Sequence, residues 1–213
     1  AIENDWDKIR SYEQYGKVVV CNEYNEDTSI STVRARQYEG FYKATEYLIG
    51  KNYQKIAYCT GSRGVMHQPN GMNIDSDRYS GYIEALAAHG MTADPNLNFT
   101  RAKTMDDGRR ILEEILKREN RPDAIIAGSD EVAAGILTEA INQGIKVPED
   151  LAIVGVDDQP IASLLPIPLT TIRQPVQDEG MLAAKEIIRQ LSEEPDDTVR
   201  KELELELVIR QSA

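Results

Sequence analysis

The amino-acid sequence predicts an α/β fold with parallel sheets. Short apolar runs rich in β-branched residues alternate along the chain with longer segments in which apolar residues recur at helical spacing. This alternation is typical of βα units around parallel strands. The 213 residues are enough for one large domain or two small lobes, and the sequence contains no internal repeat.

The first half of the chain contains three predicted strands and four predicted helices. The strands are residues 17–21, 55–60 and 97–102, and the helices are residues 6–15, 35–50, 76–89 and 105–118. Gly50 and Gly90 follow two of these helices, and glycine at that place is typical of a helix end. Residues 61–75 show no periodicity, which indicates a binding loop or a mobile flap, or equally a surface insertion.

The second half of the chain repeats the alternation. Its predicted strands are residues 124–127, 151–156 and 170–173, and its predicted helices are residues 129–142 and 175–191. Ser129 is expected to cap its helix, with Asp130 and Glu131 in the first turn, where acidic groups complement the helix dipole. Residues 202–207 alternate glutamate with leucine, which predicts a single half-buried strand.

The charge of the chain excludes a nucleic-acid surface within these residues. Twenty-four basic residues against 36 acidic residues give a formal net charge of -12, whereas a DNA-binding surface must neutralise phosphates. A plain acidic cytosolic protein fits this charge equally well. No apolar run approaches the roughly 18 residues that span a bilayer, and no export signal is visible, so we expect no membrane partner.

Metal and enzyme chemistry find little support. Cys21 and Cys59 stand in apolar runs and are interpreted as buried small side chains, while His67 and His89 share no ligand spacing with them. No glycine-rich phosphate fingerprint, nucleophile elbow or histidine-centred triad is present. We therefore expect no metal, no cofactor and no enzymatic activity.

Five segments carry a family motif. They are residues 78–82 (RYSGY), 127–135 (AGSDEVAAG), 144–158 (GIKVPEDLAIVGVDD), 168–175 (PLTTIRQP) and 208–212 (VIRQS). In this order they resemble the effector-binding part of transcription regulators of the LacI/GalR family. The resemblance covers nearly the whole chain, and it depends on the five motifs together because each alone is weak.

The resemblance implies a periplasmic-binding-protein-like fold, in which two lobes of parallel sheet are joined by three crossovers. The crossovers are expected near residues 34–35, 173–174 and 196–198. The implied lobes are a partial N-terminal lobe (1–34), a complete C-terminal lobe (35–173), an N-terminal-lobe helix (174–196) and the final strand of the C-terminal lobe (197–213). The family places further strands and a helix-turn-helix head upstream, so we expect this chain to be a piece of a longer polypeptide.

Ligands of parallel sheets lie outside the carboxyl ends of the strands, and four polar residues are predicted there. Arg78 and Asp157 align with the effector-binding arginine and aspartate of the family; the alternatives are a structural salt bridge and a turn-stabilising carboxylate. Ser129 stands where relatives place a polar contact, but its capping role would explain it equally well. Asn22 falls where some relatives carry an acidic contact.

Two residues depart from the family pattern. Lys103 occupies a position where relatives commonly carry an aromatic residue that stacks on the ligand. A lysine can instead pair with an anion, so Lys103 together with Arg78 and Arg63 suggests an acidic effector such as a sugar acid or a sugar phosphate. The alternative, a solvent-exposed lysine on a loop shifted by one residue, is at least as good. Arg34 replaces a common acidic residue, which leaves the chemistry of the first crossover open.

The predicted function is the effector-sensing core of a cytoplasmic transcription repressor. Its expected partners are a sugar-like small molecule, a second copy of the chain in a homodimer, and operator DNA through the absent head. The alternative is a solute-binding protein of an ABC sugar transporter, which has the same fold. A sugar-processing enzyme of similar architecture is a more distant reading.

Overall fold

The computed structural model of the chain describes residues 6–22, 29–65, 73–192 and 197–213. Among them, nine strands form two sheets. The strands are β1 (Val19–Cys21), β2 (Ser31–Ala35), β3 (Ile56–Cys59), β4 (Asn98–Phe99), β5 (Ala124–Ile126), β6 (Ala152–Asp157), β7 (Thr170–Arg173), β8 (Arg200–Leu203) and β9 (Glu206–Val208). The helices are α1 (Trp6–Ser11), α2 (Gln37–Gly50), α3 (Ile74–Ala88), α4 (Met105–Leu116), α5 (Asp130–Asn142), α6 (Pro160–Leu164) and α7 (Val176–Leu191), with 3-10 turns at Tyr12–Gln14 and Pro95–Leu97.

The two sheets differ in size. The small sheet has the order β1-β2-β8 and the large sheet has the order β4-β3-β5-β6-β7-β9. All neighbours are parallel except β9, which runs antiparallel to β7. The central strands β3 and β5 are buried along their whole length, because helices cover both faces of a parallel sheet.

Two apolar cores lie on opposite faces of the large sheet. One core packs side chains of α4 and α5 on the sheet, and the other packs side chains of α2 and α3. The α4–α5 pair approaches closely at Gly135, where an added Cβ would lie 2.1 Å from the carbonyl oxygen of Met105. Only glycine allows this distance, so Gly135 fixes how the two helices cross.

The chain passes between the two sheets at three places. β2 of the small sheet leads into α2, which covers the large sheet, and β7 of the large sheet leads into α7, which packs on β1 and β2. The third passage joins β8 to β9. It places Leu205 in the core of the large sheet, where it contacts Gly40.

The prediction of one final strand at 202–207 is wrong. The structure divides this segment between two sheets, with β8 paired to β2 and β9 paired to β7. The expected placement of residues 197–213 in the large sheet alone, with a crossover near 196–198, fails for the same reason, because the passage lies between Leu203 and Glu206. Alternating glutamate and leucine is compatible with a strand in either sheet, so the pattern cannot show where the chain leaves one sheet and enters the other. The other lobe boundaries stay predictions.

The remaining differences are smaller. β2 and α6 were not predicted as regular elements, and α3 begins at Ile74, two residues earlier than expected. Cys21 is exposed, because it ends an edge strand, whereas Cys59 is buried as predicted. No helix in the described part of the chain is long and apolar enough to cross a membrane.

Candidate functional site

A cavity of about 230 Å³ opens at the carboxyl ends of β3, β4 and β5. Three helices, α3, α4 and α5, begin beside it, so their partly positive N-termini surround the space. The lining residues are Phe41, Tyr58, Cys59, Thr60, Gly61, Asp75, Arg78, Ala102, Lys103, Gly128 and Ser129. Of the five residues predicted from sequence, the structure brings Arg78, Lys103 and Ser129 to this cavity.

Arg78 is half-buried in the second turn of α3. The helix starts at Asn73, whose side chain accepts a hydrogen bond from the backbone of Ser76 at 2.9 Å. The Nε of Arg78 donates to Oε1 of Gln37 at 2.8 Å, and its guanidinium carbon lies 5.2 Å from the centre of the Phe41 ring. No described residue accepts a hydrogen bond from the two terminal nitrogens, so these donors are available to a ligand.

Lys103 lies on the rim of the cavity and is exposed to solvent. Its backbone N–H donates to the Asp107 carboxylate at 2.9 Å, next to a capping box formed by Thr104 and Asp107. Its aliphatic stem packs beside Gly61, where an added Cβ would lie 3.3 Å from the lysine Cγ. The backbone of Lys103 is therefore held in place, while its charged end remains free to turn towards the cavity or the solvent.

Asp75 adds a carboxylate that the sequence prediction missed. It accepts hydrogen bonds from the hydroxyls of Thr60, at 3.2 Å, and of Ser62. The early start of α3 places Asp75 in the first helical turn, facing the cavity, whereas the sequence put it at the end of an irregular loop. Of that loop, only residues 61–65 and 73–75 are described; within them, Arg63 is exposed and does not line the cavity.

Ser129 both caps α5 and lines the cavity. Its hydroxyl accepts from the backbone N–H of Val132 at 3.3 Å, so the structural role predicted for it is present. The next residue, Asp130, is fully buried and accepts from Thr171 Oγ1 and from the backbone of Gln159, each at 2.6 Å. Burial raises the pKa of Asp130 to about 6 despite these two hydrogen bonds.

The Asp130 carboxylate also fixes its neighbourhood. An added Cβ at Gly155 would lie 2.2 Å from Asp130 Oδ1, so β6 needs glycine at this position. Asp130 therefore holds the start of α5 against β6 and β7. This is a structural role adjacent to the cavity, because its oxygens are directed into the protein.

Asp157 ends β6 in a backbone conformation that side chains rarely adopt, with φ of 104°. Burial raises the pKa of Asp157, and Arg78 and the side chain of Gln174 act in the opposite direction by stabilising the carboxylate. Asp157 is not among the lining residues of the cavity. Its role as a ligand contact stays a prediction.

Asn22 follows β1 and has a left-handed backbone, with φ of 56°. Its Oδ1 lies 3.5 Å from the backbone nitrogen of Ala35 and 3.5 Å from Nε2 of Gln37. The structure therefore directs Asn22 towards β2 and α2, and it does not line the cavity. Its predicted ligand contact also stays untested.

Gln37 and Gln174 were missed by sequence reasoning. Both are buried, with exposed fractions of 0% and 7%, and Nε2 of Gln37 donates to Oε1 of Gln174 at 3.1 Å. Gln174 belongs to the PLTTIRQP motif, which was used only to recognise the family. The available signal was that each glutamine stands next to a predicted crossover, where a polar side chain is easily dismissed as part of a loop.

Ion pairs connect the strands at the crossovers. Arg34, the second departure from the family pattern, pairs with Glu202, which Arg36 also contacts at 3.1 Å. Asp158 accepts from Arg173 at 2.7 Å and from Arg210 at 2.6 Å, and these arginines lower its pKa against the effect of burial. Arg34 thus joins β2 to β8, which gives it a structural partner.

Metal chemistry finds no support in the described residues. They contain no group of three or more histidine, cysteine or acidic side chains arranged to hold a metal ion. Cys59 lines the cavity, but burial raises the pKa of its thiol to about 12, so it is protonated at neutral pH.

Comparison with known proteins identifies the family. Residues 45–213 match the model of the periplasmic binding protein-like domain. The chain is 34% identical to the NTD biosynthesis operon regulator NtdR of Bacillus subtilis over 191 residues. This alignment covers 90% of this chain and 56% of NtdR. The chain is 30% identical over 203 residues to the ribose operon repressor of Halalkalibacterium halodurans, with coverage of 95% and 58%.

A solved structure extends the likeness to the whole chain. A LacI family transcriptional regulator from Lactobacillus casei, with bound sucrose, superposes with a TM-score of 0.85 at 28% identity, covering 100% of this chain and 76% of that one. The chain spans a little over half the length of the curated relatives it matches. These relatives are named as regulators and repressors, which agrees with the prediction that the chain is not an enzyme. The chain is therefore similar to LacI family regulators, and it belongs to the periplasmic binding protein-like family, with an α/β fold of mostly parallel sheets.

Proposed function

We propose that this chain is the effector-sensing core of a LacI-type transcription repressor, and that its effector is an acidic sugar derivative. The observation that carries the proposal is the convergence of Arg78 and Lys103 on one cavity. Arg78 offers the four N–H donors of its two terminal nitrogens, and the exposed Lys103 stands on the rim. These two cations outnumber the one carboxylate of the lining, Asp75, so the cavity matches a ligand carboxylate or phosphate better than a neutral hydroxyl.

The rest of the cavity suits the sugar part of such a ligand. The carboxylate of Asp75 and the hydroxyls of Thr60 and Ser129 supply acceptors and donors for ligand hydroxyls. Phe41 contributes an apolar ring beneath the guanidinium of Arg78. A few polar groups fixed around an apolar surface are typical of small-molecule sites.

The repressor assignment follows the relatives. Both curated relatives are named as regulators of operons, and the similar solved structure is a LacI family regulator with a bound sugar. With a formal net charge of -12, DNA contact falls to a helix-turn-helix segment beyond these residues. We further propose a two-fold symmetric homodimer in the cytoplasm, where the operator is. Sedimentation at rising concentration tests the dimer.

The ABC-transporter alternative is not favoured, because the relatives are named as an operon regulator and an operon repressor. Effector binding in the proposed mechanism shifts the population between two arrangements of the sheets, and this requires a ligand that prefers one of them. An ionic group that contacts residues near the crossovers can provide such a preference.

Thermal-shift and calorimetric titration of the 213-residue chain test the effector class. We would compare gluconate and glucose 6-phosphate with glucose at one ionic strength. A ligand that binds only the folded state raises the melting temperature, so the two acidic probes should raise it more than glucose does. Equal rises in melting temperature for all three probes would contradict an acidic effector. A larger rise with glucose than with the two acidic probes would favour a neutral sugar.

A further inference from the structure

Two buried glutamines connect Arg78 with Asp157. Gln37 is the first residue of α2, directly after the passage from the small sheet, and Gln174 lies between β7 and α7, at the passage back. Both are almost inaccessible to solvent. A buried amide has four hydrogen-bonding positions to satisfy, so glutamine is a costly choice unless the partners are well placed.

The hydrogen bonds between these groups all run in one direction. Arg78 Nε donates to Oε1 of Gln37 at 2.8 Å, and Nε2 of Gln37 donates to Oε1 of Gln174 at 3.1 Å. The side chain of Gln174 in turn lowers the pKa of Asp157 by stabilising its carboxylate, so the amide faces Asp157 at the other end. An arginine can only donate and an ionised carboxylate can only accept, so the two ends dictate the orientation of both amides.

We propose that Gln37 and Gln174 are positioning residues that form a directed relay, Arg78–Gln37–Gln174–Asp157, and that this relay fixes the effector-binding arginine relative to the crossovers. The proposal rests on the proposed function, in which Arg78 reads the effector. Hydrogen bonds in such a chain polarise one another, so a change at one end alters the bond at the other end. Neither glutamine needs to contact the effector.

The relay also reaches the small sheet. Nε2 of Gln37 also lies 3.5 Å from Oδ1 of Asn22, a longer distance than those of the Gln37 side chain to Arg78 and Gln174. Asn22 follows β1, whereas Arg78 and Asp157 belong to elements of the large sheet. A change in the arrangement of the two sheets alters this contact first, which is how effector binding at Arg78 can bias the crossovers.

The first experiment replaces the middle of the relay and observes its end. In ¹H–¹⁵N spectra, the Nε–H of Arg78 is identified by its loss in Arg78→Lys. Its hydrogen exchange is then measured in Gln174→Leu, which leaves the acceptor of this N–H, Gln37, in place. We expect exchange to accelerate about tenfold, because Gln37 loses the acceptor that orients it. Gln190→Leu is the matched control, since its amide donates to Ser31 and Glu186 at 2.8 Å, outside the relay.

The second experiment tests the direction of the hydrogen bonds. In Gln37→Glu the side chain still accepts from Arg78 but cannot donate to Gln174. The Gln174 amide must then reverse and present its oxygen to the Asp157 carboxylate, so the melting temperature should fall. Adding Asp157→Asn supplies a donor to that oxygen and should recover at least half of the loss. A double variant no better than the sum of the two single variants would overturn the relay.

The outcomes separate the relay from the proposed function. If glucose 6-phosphate binds the wild-type chain, Gln174→Leu should weaken that binding about fivefold while Gln190→Leu leaves it unchanged. If neither acidic probe binds, the effector proposal fails, and the exchange of the Arg78 Nε–H still decides the relay. The relay is refuted if the Arg78 Nε–H exchanges equally fast in wild type and in Gln174→Leu, provided that circular dichroism shows the variant to be folded.

Discussion

Helix α7 carries a buried carboxylate near each end, and the two have opposite pKa shifts. Near its C-terminus, Glu186 accepts from Ser31, Arg189 and Gln190 at 2.8–2.9 Å, and these bonds, led by those of Arg189, lower its pKa to about 2. Near its N-terminus, Glu179 is as buried, but among the described residues its Oε1 has no hydrogen-bond partner, and burial raises its pKa to about 6.

The same contrast separates two arginines. Arg118 lies 5.3 Å from the Phe99 ring and donates to the backbone oxygen of Asn96 at 2.7 Å. Arg78 lies at a similar distance from Phe41 but keeps its terminal nitrogens free of described partners. Glu186 and Arg118 are thus matched within the chain and stabilise the fold, whereas Glu179 and Arg78 are left partly unmatched. Unmatched groups lower stability and are free to bind a ligand.

Arg78→Ala should give the largest effect. It removes the donors proposed for the acidic group, so we expect affinity for glucose 6-phosphate to fall about 100-fold, or about 2.7 kcal/mol. The melting temperature without ligand should fall only modestly, by the cost of leaving the buried Oε1 of Gln37 without its donor. Calorimetric titration checks this, with Arg118→Ala as the matched control. A large loss of stability in Arg78→Ala alone would show that the arginine is structural.

Glu186→Ala should reduce the free energy of unfolding by about 2 kcal/mol and leave effector affinity unchanged. The reason is that Ser31, Arg189 and Gln190 all lose their common acceptor. Urea unfolding at pH 7 measures the effect. If this variant is as stable as the wild type, the hydrogen bonds of Glu186 do not stabilise the fold, and the contrast with Glu179 is wrong.

Glu179→Gln should increase the free energy of unfolding, whereas Glu186→Ala decreases it. Because the folded-state pKa is raised above the ordinary 4.5 to about 6, the contribution of Glu179 to stability is present below pH 4.5 and is lost as the pH rises through 6. The amide removes that loss, so the variant should be about 1 to 2 kcal/mol more stable at pH 7.5. Below pH 4.5 the difference should vanish. A gain that is equal at both pH values contradicts the ionisation argument.

Lys103→Ala should give the smallest effect, because the lysine is exposed and its charge is screened. We expect about a fivefold loss of affinity for glucose 6-phosphate and no change for glucose. Lys117→Ala, at the other end of α4, is the matched control. Titration at two salt concentrations sharpens the comparison, since the effect of Lys103→Ala should shrink at high salt. Equal losses for both sugars would place Lys103 outside the anion site.

The sequence by itself determined the alternation of strands and helices and the place of three cavity residues. Apolar runs such as residues 124–127 and caps such as Ser129 are local signals, because burial periodicity and capping involve residues only a few positions apart. Arg78 and Lys103 stand beside strand ends and helix starts, which can be read from the pattern, and the family resemblance gave them their expected roles.

Only the tertiary structure decided which groups meet. The division of residues 202–207 between two sheets depends on the pairing of β8 with β2, whose residues are 168 positions apart, and of β9 with β7, whose residues are 33 to 37 positions apart. The meeting of Gln37 with Gln174 joins residues 137 positions apart. Glu179 and Glu186 look alike in the sequence of α7. In the structure, the carboxylate of Glu186 meets three donors, whereas Oε1 of Glu179 has no partner among the described residues. Local periodicity specifies which side of an element is buried, but the partner of a buried polar group is set by how the elements pack.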